Sequence, residues 1–240
     1  MPTAVLTAKT ETLCSPTVPL KAGKPSQANK TTTGATLRSL YNRAARAFLH
    51  RDVPQTHSLL TSAFAIIQPP SSYVSDSLAT QRRKWDILRI TLETTIYTSP
   101  SDEDVIPPSL HDSLTLSSQF LINMMHQRSL VLFTPTAHSQ PTSAFLPSKV
   151  LITLVLSSMK LDCSEVGRFM IEDWLARRGQ FDDSLEDGEG YEKVLDIYSL
   201  HVLPRLEQWD YAREFLQYEN QLPLERRKVG CLYFQLKLKV

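Results

Sequence analysis

Apolar residues recur along this 240-residue chain with a helical period, in paired runs separated by short polar breaks. From Thr36 on, Leu37, Leu40, Tyr41, Ala44, Ala45 and Phe48 fall on one helical face. His50-Arg51-Asp52 interrupts the run. Asp52 is placed to cap a second helix, with Pro54 in its first turn, where a missing N–H costs nothing. Leu59, Leu60, Ala63, Phe64 and Ile67 form the stripe of that helix, and Pro69-Pro70 ends it. Two helices joined so closely must lie antiparallel, as a hairpin.

The same grammar repeats. Asp76 is expected to begin a longer helix with Trp85, Leu88, Leu92 and Ile96 inward. Ser99 to Asp104 reads as a loop. Pro107-Pro108 opens a helix with Leu110, Leu114, Leu121 and Met125 on one side. Residues 129–146 read as a long loop in which Leu130-Val131-Leu132-Phe133 resembles a strand without a partner. Pro147 starts a helix carrying Val150, Leu151, Leu154, Val155 and Met159, apolar nearly all round and so expected at the centre. Its partner starts at Asp162 and Glu165, buries Val166, Phe169, Met170 and Trp174, and ends at Gly179. After the acidic stretch Asp182 to Glu189, a fourth hairpin begins near Tyr191. It has Val194, Ile197, Tyr198, His201 and Val202 inward, a break at Pro204, and Trp209, Ala212, Phe215 and Leu216 on its second helix. A last helix is expected from Pro223.

These patterns predict an all-α protein: antiparallel helical hairpins over residues 35–240, stacked as a tetratricopeptide-like α-solenoid without the full tetratricopeptide consensus. Residues 1–34 hold Pro2, Pro16, Pro19 and Pro25 among Thr, Ser and Lys with no apolar period, and are expected to be a disordered tail.

Composition narrows the function. A formal net charge of +1 with 21% charged residues gives no whole-chain attraction for nucleic acid. Cys14, Cys163 and Cys231 are far apart and odd in number, which suggests neither a disulfide framework nor a zinc site. No apolar run approaches the roughly 18 residues of a membrane span. Gly23 to Thr31 ends like a phosphate-binding loop but has Asn29 where that loop needs glycine. His50 and His57 flank a helix break, His201 reads as a core histidine, and Cys163 lies near a helix start, where a thiol pKa can fall. Arg82-Arg83-Lys84 and Arg226-Arg227-Lys228 read as solvated basic faces, and Trp85, Trp174 and Trp209 as core. No catalytic, metal or cofactor constellation emerges; an enzyme reading would need a convergent polar pocket that the pattern does not indicate.

One ordered set of residues carries a resemblance. Leu146-Pro147-Ser148-Lys149-Val150-Leu151, Ser158-Met159, Trp174-Leu175, Tyr191, His201-Val202-Leu203-Pro204 and Glu225-Arg226-Arg227 together resemble the peroxisome assembly protein 26 family and its fungal counterparts. The likeness covers about residues 146–228. It implies a non-catalytic adaptor on the cytosolic face of the peroxisomal membrane, with no cofactor. Its partners would be the AAA ATPase peroxins 1 and 6, mainly peroxin 6, which extract the import receptor for reuse. Family members carry a C-terminal membrane anchor. Gln235 to Val240 closes this sequence without one, as expected of a truncated chain, an incomplete gene model or a soluble form. The alternative expectation is a tetratricopeptide-like scaffold of another pathway. Arg46, Arg51, Arg177, Arg178, Arg226 and Arg227, at predicted helix ends or exposed faces, are the candidate partner-binding residues, because arginine is enriched at interface hot spots.

Overall fold

A computed structural model describes residues 27–72, 76–99, 106–178 and 188–219, and the regular elements among them are all helical. In chain order they are α1 (Gln27–Leu49), α2 (Val53–Ile66), α3 (Ala79–Thr98), α4 (Pro108–Leu114), α5 (Ser118–Phe133), α6 (Ser148–Lys160), α7 (Ser164–Arg177), α8 (Gly188–Ile197), α9 (Leu203–Arg205) and α10 (Trp209–Tyr218). A 3-10 turn at Ser143–Phe145 precedes α6, and a π-helical turn at Tyr198–Val202 joins α8 to α9. The expectation of an all-α chain holds for these residues.

Local chemistry accounts for the hairpins. Asp52 Oδ1 accepts the Gln55 N–H at 3.0 Å and caps α2, as its position predicted. Three tight links share one backbone device. The Asp52 N–H reaches the Ala47 carbonyl at 2.9 Å and the Arg51 N–H reaches that of Phe48 at 3.0 Å. The same pair recurs with Cys163 to Ser158 and Asp162 to Met159, and again with Gln208 to Leu203 and Glu207 to Pro204. These are Schellman closures, which satisfy the last carbonyls of a helix by passing one residue through the left-handed region. Here that residue is Arg51 (φ 58°), Asp162 (φ 56°) or Glu207 (φ 60°), where glycine would be unstrained.

Packing runs mainly between consecutive hairpins. α1 lies on α2 and both touch α3; α3 meets α4, α5 and α6; α6 meets α5, α7 and α8; and the π turn packs on α7 and α10. As expected, α6 is central, with Val150, Leu151, Leu154 and Val155 essentially inaccessible. Its neighbours come close because they present glycine. A Cβ on Gly167 of α7 would lie 2.3 Å from Ser158 Oγ. One on Gly190 of α8 would lie 2.3 Å from Ser148 Oγ and 3.0 Å from Ser148 Cβ.

Between α3 and α5 the contact is partly ionic. Ser129 donates to Asp86 Oδ2 at 2.7 Å and Arg128 pairs with Glu93 across that contact, while Arg89 pairs with Asp86 within α3. Asp86 is fully buried; burial holds its carboxyl above the ordinary range, against the opposing pull of Arg89, Ser129 and Arg128. Arg82 is also buried, paired with Asp76 and donating to the Gln68 carbonyl at 2.7 Å from Nη2. The expectation of a solvated Arg82 is therefore corrected: it ties the start of α3 to the end of the first hairpin.

Other expectations need correction. α1 starts at Gln27, inside the stretch assigned to a disordered tail up to residue 34, because extending an anchored helix avoids the nucleation cost; residues 1–26 lie outside the described residues. Leu130 to Phe133 are the last turn of α5, not a strand or loop. The helix expected from Pro108 is two, broken at Thr115–Ser117, where Ser117 Oγ accepts the Phe120 N–H and starts α5. Asp162 does not cap α7, whose N-cap is Cys163. Phe169 is 64% exposed. The buried stripe is Gly167, Met170, Ile171 and Trp174, and Phe169 lies across the helix from it. His201 is exposed, because Pro204 has no N–H for the Leu200 carbonyl and the π turn that results shifts the helical phase. Gly179, Asp182 to Asp187 and the helix expected from Pro223 lie outside the described residues.

Two predictions concern stability. Arg51→Gly and Glu207→Gly are each expected to raise it by about 0.5–1 kcal/mol by relieving left-handed strain, whereas valine at either position lowers it. Urea unfolding midpoints decide this; a loss with glycine as large as with valine would refute the shared closure. Gly167→Ala and Gly190→Ala are each expected to cost about 1–3 kcal/mol by overpacking. Adding Ser158→Ala restores Gly167→Ala, but Ser148→Ala does not restore Gly190→Ala, since the Ser148 Cβ itself obstructs. Equal rescue in both double mutants would contradict that geometry.

Candidate functional site

The structure divides the candidate arginines. Arg46, in the last turn of α1, and Arg51, in the link after it, are exposed and have no ion-pair partner among the described residues. Arg177 pairs with Asp173 at 2.7 Å along α7. Arg178 is committed to packing. Its guanidinium carbon lies 3.7 Å from the Tyr191 ring centroid and 5.8 Å from that of Trp174. The Trp174 and Tyr191 rings themselves stack at 6.3 Å. Arg226 and Arg227 lie outside the described residues.

Around Trp174 the third and fourth hairpins are locked together. Trp174 Nε1–H donates to the Leu146 carbonyl at 2.9 Å, and the Tyr191 hydroxyl lies 3.3 Å from Glu219 Oε2. Burial, with Glu219 beside it, pushes the Tyr191 hydroxyl up to about 12. Ser143 donates to Asp173 Oδ2 at 2.5 Å. Burial alone would raise the Asp173 carboxyl, but Ser143, Arg177 and His126 together hold it below the ordinary range. His126 of α5 is buried with its Nε2 unpaired among the described residues, and burial depresses the imidazole to about 4 against the pull of Asp173.

Arg51 borders an open cleft of about 390 Å³ between the α1–α2 link, the end of α3 and the end of α6. Phe48, Val53, Leu92 and Ile96 give it an apolar floor, and Leu49, 78% exposed, stands at its rim. Arg51 and Lys160 bring two cations; Asp52, the one carboxylate of the lining among the described residues, is engaged in capping α2. Both cations follow or end a helix, where they complement the negative end of the helix dipole. Neither the exposed Leu49 nor the cleft was foreseen. The signal was Leu49 beside His50-Arg51, a leucine at a helix end with nothing after it to cover it.

Other chemistry does not assemble among the described residues. Among the described residues no group of three His, Cys, Asp or Glu is placed to hold a metal ion. His57 Nε2 lies 3.3 Å from Ser109 Oγ, and Cys163 is buried with its sulfur 3.3 Å from Ser118 Oγ and the Leu161 carbonyl. No helix of the described residues is long and apolar enough to cross a membrane.

The class defined by these observations is an all-α protein of packed helical hairpins with an exposed, partly apolar cleft at one inter-helix link. Compared with known proteins, the chain matches no family model, no curated protein and no solved structure.

His126 carries a pH prediction. The unfolded imidazole titrates near 6.5 and the folded one near 4, so between these values the unfolded chain binds more protons. Stability is therefore complete above about 6.5, falls on acidification, and loses about 3 kcal/mol by pH 4 from this group. His126→Gln is expected to flatten the slope in that window, followed by urea unfolding from pH 7 to 4. An unchanged slope would mean that His126 is not the titrating group.

Proposed function

We propose that this protein is a non-catalytic adaptor that recruits the AAA ATPase peroxins 1 and 6, mainly peroxin 6, to the peroxisomal membrane for recycling of the import receptor. The observation that carries the reading is the ordered run of residues from Leu146 to Arg227 that resembles the peroxisome assembly protein 26 family. Several residues of that run meet in the structure. Leu146 receives the Trp174 indole bond, Tyr191 stacks on Trp174, and Pro204 closes the π turn. The described ones among the resembling residues thus frame the junction of two hairpins, and the exposed cleft lies at the α1–α2 link instead.

Hairpins that pack mainly on their neighbours in sequence support a tetratricopeptide-like solenoid, an architecture that binds proteins through exposed inter-helix surfaces. The cleft at the α1–α2 link is the docking surface in this reading, with Leu49 as apolar anchor and Arg51 and Lys160 in its lining.

Affinity capture of the full chain against the purified hexamer of peroxins 1 and 6, with ATP, tests the proposal. Saturable retention is expected, weakened about tenfold or more by Leu49→Asp with Arg51→Glu. If a folded, helical protein retains no ATPase, the adaptor reading fails and a scaffold of another pathway takes its place. Retention untouched by the double variant would move the docking surface away from this cleft.

A further inference from the structure

A second cleft, of about 260 Å³, lies where the first turns of α3 and α6 approach each other. Phe133, Pro135, Phe145 and Pro147 form an apolar wall, and Arg83 and Lys149 stand beside it. Arg82 also reaches the cleft, but it is occupied by Asp76 and the Gln68 carbonyl. Among the described residues Asp76 is the one carboxylate in the lining, and Arg82 already holds it. Arg83 and Lys149 have no hydrogen-bond or ion-pair partner among the described residues, which leaves two uncompensated positive charges against an apolar wall.

The placement of these charges is unfavourable to the fold on its own. A helix start carries partial positive charge and favours anions. Lys149 is the second residue of α6, whose first turn holds no acidic residue and whose N-cap Pro147 offers no side-chain acceptor; the start of α3 differs, since Asp76 Oδ1 accepts the Leu78 N–H at 3.0 Å there. Arg51 and Lys160 at the other cleft are different, since cations at helix ends are stabilising there. An anion supplied from outside would be attracted by Arg83, Lys149 and the start of α6 together. A free inorganic anion would leave the aromatic and proline wall unused.

We propose that this cleft binds an acidic peptide segment of a partner protein. An aliphatic or aromatic side chain of the segment covers the wall of Phe133 and Phe145, and adjacent Asp or Glu side chains meet Arg83, Lys149 and the first turn of α6. The site is distinct from the α1–α2 cleft and does not depend on the identity of the ATPase partner.

Fluorescence anisotropy with the full chain tests this. The probe is a labelled peptide of Asp and Glu around a single Leu-Phe pair; the controls are the same peptide with Ser-Ser for Leu-Phe, a Lys version, and inorganic phosphate as competitor. The acidic Leu-Phe peptide is expected to bind saturably. The Ser-Ser peptide binds about tenfold more weakly, the Lys version does not bind, and binding falls as salt rises. Arg83→Glu with Lys149→Glu is expected to weaken binding about tenfold or more, while Arg43→Glu, at an exposed position outside both clefts, leaves it unchanged. Far-UV circular dichroism checks the fold of each variant, and Arg83→Gln with Lys149→Gln gives a milder neutralisation in which the same loss is required. Absence of binding, equal binding of the Ser-Ser peptide, displacement by millimolar phosphate, or an affinity indifferent to both double variants would each overturn the proposal.

Discussion

The close packing around α6 is the constraint on which the rest of the structure depends. Helices approach to within the reach of a hydroxyl only where one side carries no Cβ, and here Gly167 and Gly190 face Ser158 and Ser148 on the same central helix. That closeness lets Leu151, Leu154 and Val155 be shared between α6 and its neighbours, so one helix serves as core for several. It also sets the position of the Leu146 carbonyl, just before α6, under the Trp174 indole. The Trp174–Tyr191–Arg178 stack then fixes the fourth hairpin on the third.

Away from α6 the interior changes character. The α3–α5 contact buries Asp86 on the Ser129 hydroxyl and pairs Glu93 of α3 with Arg128 of α5. Such pairs contribute little net stability once desolvation is counted, but breaking one leaves a buried charge alone. They specify which faces of α3 and α5 meet, a choice that an apolar stripe shared by many helices leaves open. Arg82 does the same between α3 and the first hairpin. The two clefts lie at the margins of this arrangement and differ in electrostatics: one carries its cations at helix ends, where the helix dipole favours them, the other carries Lys149 in the first turn of α6, where the dipole favours an anion.

Much of the helical pattern was legible from residues alone. Asp52 and Pro54 announced the start of α2, Pro69-Pro70 its end, and Pro147 the start of α6, because capping and proline chemistry act within a few residues. Phe169 and His201 were misplaced for reasons that a stripe of large apolar residues does not reveal. On α7 the phase is set by Gly167, whose importance lies in the Ser158 it faces on another helix. On the fourth hairpin a π turn shifts the register, and nothing local marks its extent. Of the candidate arginines, Arg178 looked like its neighbour Arg177, yet one packs on an aromatic ring and the other pairs along its own helix.

By itself, then, the sequence determined the helical class, the principal helix starts and the central place of α6, since these follow from short-range periodicity and backbone chemistry. Tertiary structure alone decided which cations are consumed and which stand free. Arg82, Arg83 and Lys84 are consecutive in the chain, but only the packing of α3 against the first hairpin and α6 buries Arg82 on Asp76 and leaves Arg83 lining the same cleft as Lys149, 66 residues further along. Charges act through space over several ångströms, and distance in space is the quantity that a linear pattern does not contain.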